Sequence, residues 1–336
     1  MIMTSETGTL FLSVIIPVWN RPNEIARSVR SIAVQLDDRN AEIIIVNDAS
    51  TDNTADVIEN LSAEHPIVKV LKLQRHGGAA AARNAGLNAA RGIYIWFVDS
   101  DDIVNPGAVE LIMPELQRHT PDILRFDKQN SIPMAAASPE YFSIAPRVSR
   151  SDFGKDAEGL MTCLSMGSVW NAVFSRRVIG DIRFDETFSY GEDALFTWAV
   201  ALCARECIYI HAPLYSYLET PGSLTSSKTT ERFRCYMLQI ECFLKLIDCS
   251  QLEEKLKKRL YSDCCWRVYS HAFGCFRPSE INSEMWRIWR KTYASVMISN
   301  LRRSFPRRLL SGLFFPLLNK YLANAVFMHL LHSRQN

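Results

Sequence analysis

The sequence lacks the cysteine arrangements that build disulfide frameworks and zinc sites. None of its nine cysteines lies before position 160, no Cys-x-x-Cys pair occurs, and nine is an odd number. Small secreted domains and structural zinc sites use paired cysteines at short spacings, so both classes are disfavoured. We interpret the cysteines as free, buried thiols in a reducing compartment, with a redox or metal role as the alternative.

We expect neither a signal peptide nor a membrane-spanning segment from the sequence. No basic stretch followed by an apolar run and a cleavage site opens the sequence, so we expect no signal peptide. The apolar run Leu10–Trp19 is too short to span a bilayer and contains Pro17. With 48% hydrophobic and 22% charged residues, the composition is that of an ordinary globular protein, which we expect in the cytoplasm.

Acidic residues are absent from the end of the chain. Between Met285 and Asn336 there are nine Lys or Arg and no Asp or Glu, whereas the preceding residues carry 29 basic and 36 acidic side chains. Residues 301–331 combine paired arginines with Leu, Phe and Tyr and are interrupted by Pro316 and Lys320. We expect this tail to contact an anionic membrane surface, and packing on protein is the alternative.

The first part of the chain alternates apolar runs with segments of helical spacing. The apolar runs predict strands at Leu10–Pro17, Glu42–Val46, Val68–Leu73 and Gly92–Val98. Between them, helices are predicted over Glu24–Leu36, around Val57–Leu61 and over Ala79–Ala90. This alternation predicts a parallel sheet with helices on both faces, and ligands then gather at the carboxyl ends of the strands.

An acidic cluster, Asp99-Ser100-Asp101-Asp102, directly follows the fourth predicted strand. Three carboxylates within four residues repel one another unless a cation or a hydrogen-bond network neutralises them. Mg²⁺ and Mn²⁺ prefer oxygen ligands and commonly complete their shell with substrate phosphates. The cluster alone fits a metal site and a solvated, helix-capping loop equally well.

A second acidic cluster, Gly191-Glu192-Asp193, precedes a predicted apolar helix over Ala194–Leu202. A carboxylate in a partly apolar setting can take a proton from an attacking hydroxyl. Acidic residues at a helix N-terminus also compensate the helix dipole, and on this cluster alone that interpretation is favoured.

A glycine pair, Gly77-Gly78, opens the small-residue helix that contains Arg83. Glycines before a helix expose backbone N–H groups, which together with an arginine one turn later could hold an anion. Close packing of this helix on the sheet is the alternative.

Taken in order, these motifs resemble glycosyltransferase family 2 over about residues 10 to 225. The resemblance is carried by Ser13–Asn20, Ile43–Thr54, Gly78–Leu87, Tyr94–Asp102, Trp170-Asn171 and Gly191-Glu192-Asp193. It implies the GT-A fold, an α/β Rossmann-like and mostly parallel sheet flanked by helices, here with a C-terminal helical extension. It also implies inverting transfer of a sugar from a nucleotide-diphospho-sugar, with UDP as the expected nucleotide. The acceptor would be a saccharide or a lipid-linked saccharide in cell-surface polysaccharide or lipopolysaccharide biosynthesis.

The resemblance further implies roles for individual residues. The nucleotide-sugar-binding residues would be Pro17, Asn20, Asp48, Gly78, Arg83, Asp99 and Ser100. A Mn²⁺ or Mg²⁺ ion would be held by Asp99 and Asp101, with His211 either a further metal contact or a structural histidine. Asp193 would be the general base, and Glu192 would orient it or the acceptor. No nucleic acid partner is expected, and an oligomer is compatible with the pattern.

The chain departs from the family pattern at three positions. Ala49 stands where relatives often have the glycine of Asp-Asp-Gly-Ser, and a left-handed turn there is costly for alanine. Ala172 replaces the lysine of Trp-Asn-Lys, and Leu218 replaces the arginine of Tyr-Arg. These changes concern the acceptor and diphosphate contacts and leave the Asp pair and the base in place.

Two other functions fit less well. Haloacid-dehalogenase-type phosphotransferases also place Asp-x-Asp after a strand, but near the N-terminus, whereas here three strand–helix units come first. A degenerate member that only binds nucleotide would not need Asp193 together with the Asp99 and Asp101 pair. We therefore predict a GT-A catalytic domain over residues 1–228, with a nucleotide-binding half at 1–105 and an acceptor half at 106–228. A helical region at 229–336 would follow and hold the enzyme at the inner face of the membrane.

Overall fold

The chain folds into two compact units, Met1–Thr225 and Ser226–Asn336. The structure, a computed structural model, describes residues 10–36, 40–130, 146–153, 156–165, 167–218, 229–261 and 282–301. The basic tail at 302–336 therefore lies outside the described residues. None of the helices in the described ranges is long and apolar enough to cross a membrane.

Four parallel strands build the first half of the sheet. They are β1 (Leu12–Val18), β2 (Ala41–Asn47), β3 (Val68–Lys72) and β4 (Tyr94–Phe97). Their order is β3-β2-β1-β4, and each pair of neighbours is parallel. Every residue of β1, β2 and β4 is buried, which explains why these strands are continuous apolar runs in the sequence. The predicted strands are confirmed, with ends that differ by one or two residues.

Three helices follow the first three strands: α1 (Pro22–Ala33), α2 (Thr54–Glu64) and α3 (Gly78–Ala89). Pro22 opens α1, where its missing N–H costs no hydrogen bond. In α3, a Cβ added to Gly86 would lie 2.4 Å from Ile15 Cγ2, so glycine lets this helix approach β1 closely. The predicted close packing of α3 on the sheet is thus confirmed.

The second half of the first unit is less regular. Its elements are β5 (Ile103–Val104), α4 (Ala108–His119), β6 (Ile123–Asn130), β7 (Arg147–Asp152), α5 (Ala157–Ser165), β8 (Ala172–Ser175), α6 (Arg176–Ile179), α7 (Glu192–Cys203) and β9 (Glu206–Tyr217). The sheet continues from β4 through β8, β6 and β9 to β5, while β7 pairs with β9. Strand β8 is antiparallel to both of its neighbours, so the nine-stranded sheet is mixed.

The end of β9 meets the loop that follows β4. The backbone N–H of Leu218 donates to Asp102 Oδ1 at 2.9 Å, and the backbone N–H of Asp99 donates to the hydroxyl oxygen of Tyr215 at 3.1 Å. The acidic loop is therefore positioned from both sides, by β4 before it and by β9 across the sheet.

The second unit is helical where it is described. It contains α8 (Thr230–Cys249), a helical stretch α9 at residues 254–261, and α10 (Ser283–Leu301). Thr229 caps α8, since its hydroxyl accepts the backbone N–H of Arg232 at 3.2 Å. An ion pair of 2.9 Å between Arg234 and Glu284 joins α8 to α10. The predicted C-terminal helical extension is confirmed for these residues.

The described cysteines are free thiols, as predicted, but only some of them are buried. Cys163, Cys207 and Cys235 are buried, whereas Cys203 and Cys249 are exposed. The expectation of uniformly buried thiols was therefore wrong, because the helix ends that carry these two residues face solvent.

Candidate active site

The loop after β4 places its three carboxylates in three different environments. Asp99 Oδ1 accepts a hydrogen bond of 2.8 Å from Arg83. The Asp101 side chain is 23% exposed, and its Oδ2 lies 3.9 Å from Arg21 Nη2. Asp102 is fully buried. Arginines thus offset part of the mutual repulsion expected from the sequence, at Asp99 and at Asp101.

Asp102 has a structural position within this loop. Its Oδ1 accepts the N–H of Leu218, so it ties the loop to the end of β9. Burial, together with repulsion from Asp99, raises the pKa of Asp102 to about 8. The neutral form of this carboxyl is therefore favoured at pH 7, which reduces the charge of the cluster.

Arg83 joins the two acidic clusters. Its side chain lies in α3 and is nearly fully buried; Nη2 donates to Asp99 and Nη1 donates to Glu192 Oε1 at 2.7 Å. Burial alone lowers the pKa of Arg83, but the attraction of Asp99, Glu192 and Asp193 outweighs that effect and raises it. The predicted contact of Arg83 with the nucleotide stays a prediction, and the structure adds that its guanidinium already holds two carboxylates.

Glu192 and Asp193 begin α7, directly after Gly191, whose φ of 75° lies in the left-handed region that favours glycine. The backbone N–H of Ala194 donates to Asp193 Oδ1 at 2.8 Å. Burial, with repulsion from Glu192, raises the pKa of Asp193 to about 7, although Arg83 acts in the opposite direction. A carboxyl with this pKa can take up a proton near neutral pH, as a general base must.

The Asp48 carboxylate lies at the end of β2 and is buried. It accepts the backbone N–H groups of Gly77 and Gly78, both at 2.8 Å, and lies 2.9 Å from His76 Nδ1. An anion site was one of the two interpretations of this glycine pair, and the anion that the two amides bind in this structure is Asp48 itself. The predicted contacts of Asp48 and Gly78 with the donor stay predictions.

Beside Asp48, an exposed aromatic pair was not predicted. The Trp19 side chain, at the end of β1, is 47% exposed and stacks on His76 with a ring separation of 4.4 Å. A flat apolar surface thus adjoins a buried carboxylate and two backbone amides. The sequence around Trp19 could not predict this stacking, because His76 lies on a different loop.

The loops after β1 and β2 are bound to each other. Asn20 Oδ1 accepts the N–H of Thr51 at 2.8 Å, and the Asn20 N–H donates to the Ser50 hydroxyl at 3.0 Å. Ala49 adopts a φ of 55°, so the left-handed turn expected of the family is made despite its cost for alanine. Pro17 lies inside β1, and Ser100 is buried in the loop after β4. Most of the predicted donor-binding residues therefore lie at the carboxyl ends of β1, β2 and β4, whereas Gly78 and Arg83 lie in α3.

His211 is positioned by the edge of the sheet. It is exposed on β9, with its Nε2 2.9 Å from the Ser149 hydroxyl of β7 and its ring 4.5 Å from that of Tyr209. This arrangement favours the structural alternative, and a metal role for His211 stays a prediction. Over the described ranges, no three His, Cys, Asp or Glu side chains form a group that could hold a metal ion.

The contacts within a group of aromatic side chains beside the acidic loop were also not predicted. Trp170 stacks on Tyr215 at 4.8 Å and on Tyr217 at 5.9 Å. The Lys128 ammonium lies 5.0 Å from the ring centre of Trp170 and 4.9 Å from that of Tyr217. These four residues come from β6, β9 and the turn before β8, so no local sequence pattern predicts that they lie together.

Comparison with curated proteins finds glycosyltransferases. The chain is 30% identical to glycosyltransferase GlyA of Streptococcus pneumoniae serotype 4 over 222 residues, which are 64% of this chain and 31% of that protein. It is 30% identical to the uncharacterized glycosyltransferase EpsJ of Bacillus subtilis over 220 residues, 64% of this chain and 62% of EpsJ. The succinoglycan biosynthesis protein ExoO of Rhizobium meliloti is 25% identical over 252 residues, 73% of this chain and 71% of ExoO. The chain thus spans less than two thirds of the length of GlyA and of EpsJ.

Solved structures with the same fold are also glycosyltransferases. S. aureus TarS 1–349 in complex with UDP-GlcNAc superposes with a TM-score of 0.71 at 21% identity, covering 85% of this chain and 80% of that one. The mannosyltransferase PcManGT from Pyrobaculum calidifontis, in complex with GDP-Man and Mn²⁺, gives a TM-score of 0.55 at 17% identity, covering 95% and 85%. These likenesses confirm the predicted GT-A fold.

The match to a family model covers the part of the chain that forms the first half of the sheet. The family model described as glycosyl transferase family 2 matches residues 13–132, which include β1 to β4 and the acidic loop. By this match, residues 13–132 are similar to glycosyl transferase family 2.

Proposed function

We propose that this chain transfers a sugar from a nucleoside-diphosphate sugar to an acceptor hydroxyl, with inversion at the anomeric carbon. The observation that carries the proposal is the ion pair of Arg83 with both Asp99 and Glu192, which brings the candidate base Asp193 to the acidic loop at the end of β4. A chain that only bound nucleotide would not need a carboxyl with a raised pKa there, so the degenerate alternative is not favoured.

The donor would occupy the ends of β1, β2 and β4. Asp48 and the stacked pair of Trp19 and His76 offer a carboxylate and an aromatic face, which suit the imide edge and the plane of a pyrimidine base. Asp99 would accept from the ribose. UDP is the proposed nucleotide, and the likeness to the TarS complex with UDP-GlcNAc supports a donor of this type.

Asp193 would act on the acceptor. Its carboxylate would take the hydroxyl proton while the acceptor oxygen bonds to the anomeric carbon on the face opposite the nucleotide. The bond from that carbon to the diphosphate breaks, and its electron pair leaves with the diphosphate. Glu192, held by Arg83 at 2.7 Å, would fix the start of α7 so that Asp193 keeps its position.

The acidic loop fits a divalent cation. Asp99 and Asp101 would hold Mn²⁺ or Mg²⁺, since both offer only oxygen ligands and the Asp101 side chain reaches solvent. Such ions are commonly bound through one or two carboxylates plus substrate phosphates, so a larger protein cluster is not needed. When bound, the cation supplies positive charge against that of the departing diphosphate.

The acceptor and the location are inferred from the relatives and the sequence. We propose a saccharide or lipid-linked saccharide in polysaccharide biosynthesis, as the name of ExoO suggests for that relative. The basic tail at 301–331 would hold the enzyme on anionic lipid at the inner face of the membrane, because it has no acidic residue that the lipid headgroups would repel.

A thermal-stability screen tests donor and metal together. Nucleotide sugars would be tested with and without Mn²⁺ on the wild type and on Asp101→Ala, with Asp181→Ala as the control for loss of an exposed carboxylate. We expect one class of nucleotide sugar to raise the melting temperature in a Mn²⁺-dependent manner, because a ligand that binds only the folded state stabilises it. This Mn²⁺ dependence should be lost in Asp101→Ala and kept in Asp181→Ala. If no nucleotide sugar shifts the wild type, the proposed donor class is wrong.

A further inference from the structure

Lys128 carries a positive charge on the opposite side of the acidic loop from the proposed donor site. It lies in β6, two strands beyond β4 in the sheet, whereas the proposed donor residues follow β1, β2 and β4. The diphosphate of a donor bound at those strand ends is therefore not the natural partner of this ammonium.

Aromatic rings hold the Lys128 ammonium in place. Its Nζ lies 5.0 Å from the centre of the Trp170 ring and 4.9 Å from that of Tyr217, and both distances are typical of cation–π contacts. Trp170 itself is fixed, because its backbone oxygen accepts from the Trp96 indole at 2.9 Å. A lysine on a flexible stem usually binds weakly because it must be ordered first, and here much of that ordering is already present.

The charge of Lys128 has no close counter-ion in the described part of the chain. No carboxylate there lies within the 4.0 Å of its ammonium that would make an ion pair. Burial lowers the pKa of Lys128, and the more distant attraction of Asp102 partly offsets that effect.

The same aromatic group reaches the proposed reaction centre. The Tyr215 hydroxyl accepts the N–H of Asp99, and the Tyr215 ring stacks on Trp170, over which Lys128 lies. In the register of β6 and β9, Lys128 lies opposite Tyr215 itself, the tyrosine that contacts the acidic loop. A ligand group bound to Lys128 would be beside the place where the acceptor must enter.

We infer that Lys128, held by Trp170 and Tyr217, is an acceptor subsite for a negatively charged saccharide, one that bears a phosphate or a carboxylate. The ammonium pairs with the anionic group, and the partly exposed Tyr217 ring offers an apolar face to the sugar. This subsite deepens the proposed function, since it specifies the class of acceptor.

The test compares charged saccharides with their neutral counterparts. Dissociation constants of glucose 6-phosphate, glucuronate and glucose would be measured by NMR on the full chain with UDP and Mn²⁺ present. The variants would be Lys128→Gln, Lys128→Arg, and Lys72→Gln as a matched control, because Lys72 is an exposed lysine of β3. UDP affinity would be measured in parallel for each protein.

We expect the wild type to bind both charged saccharides more tightly than glucose. In Lys128→Gln, the affinity for the charged saccharides should fall about tenfold, because one charge-assisted contact is removed. Glucose and UDP binding should not change, Lys128→Arg should keep the preference, and Lys72→Gln should match the wild type. The inference is overturned if charged and neutral saccharides bind alike, if none binds, or if Lys128→Gln weakens UDP instead. Failure of the wild type to bind UDP would contradict the proposed function. If the wild type still preferred charged saccharides in that case, the inferred subsite would remain supported.

Discussion

Arg83 and Glu192 lie 109 positions apart in the chain and form a buried ion pair of 2.7 Å. Because the same guanidinium also holds Asp99, this pair connects the donor side of the candidate site to the proposed base. The geometry of the candidate site therefore depends on a helix, α3, that carries none of the acidic residues.

The first prediction concerns the stability supplied by Arg83. Arg83→Met should lower the free energy of unfolding by about 3 kcal/mol, because removal of one partner leaves a buried carboxylate uncompensated. Urea denaturation would be measured for the wild type, Arg83→Met, Glu192→Gln and the double variant. This cycle gives the coupling free energy between the two side chains. Part of the loss should be regained in the double variant. Strictly additive effects would show that the two side chains do not act as a pair.

The second prediction concerns the base. Asp193→Asn keeps the size of the side chain but cannot take a proton, so turnover should fall by roughly 10²- to 10⁴-fold while donor affinity stays close to that of the wild type. Asp181→Asn, an exposed position nearby in sequence, is the control. A fall of less than about tenfold in Asp193→Asn would assign the base to another residue.

The third prediction concerns pH. Burial raises the pKa of Asp193 to about 7, and the base works in its deprotonated form, so kcat/KM should rise with pH through about 7 and then level off. The attraction of Arg83 lowers this pKa, so its loss in Arg83→Met should move the rise to higher pH. A profile that is flat between pH 5 and 9, roughly the range such a carboxyl would control, is incompatible with Asp193 as the base.

The fourth prediction concerns the basic tail. Full-length protein should sediment with anionic vesicles at low salt and be released at high salt, since arginine contacts with lipid headgroups are screened. A truncation after Ser299 should stay in the supernatant. If the full chain also stays in the supernatant at low salt, these residues pack on protein instead.

Much of the first half of the sheet is predictable from sequence. Strands β1, β2 and β4 are buried throughout, so their apolar runs are long enough to be recognised without knowledge of their neighbours. The acidic loop after β4 is found for the same reason, because it directly follows one of these runs. Parallel order then places all the strand ends at one edge.

The second half could not be predicted in the same way. Strand β8 has four residues and pairs with β4 and β6, although β6 precedes it by more than forty positions in the chain. Contacts such as Lys128 over Trp170 depend on that order, and no local spacing encodes it. The double role of Arg83 was missed likewise, because its two partners lie in different halves of the domain.

The most direct test of the central claim is a transfer assay. The nucleotide sugar that stabilises the protein most would be incubated with it, Mn²⁺ and a mixture of charged and neutral saccharides, and the products would be examined by NMR. If the proposed function is correct, nucleoside diphosphate is released together with a new glycosidic bond whose anomeric configuration is opposite to that of the donor. A product of retained configuration, or a bound donor that yields no glycosidic bond with any acceptor, would contradict it.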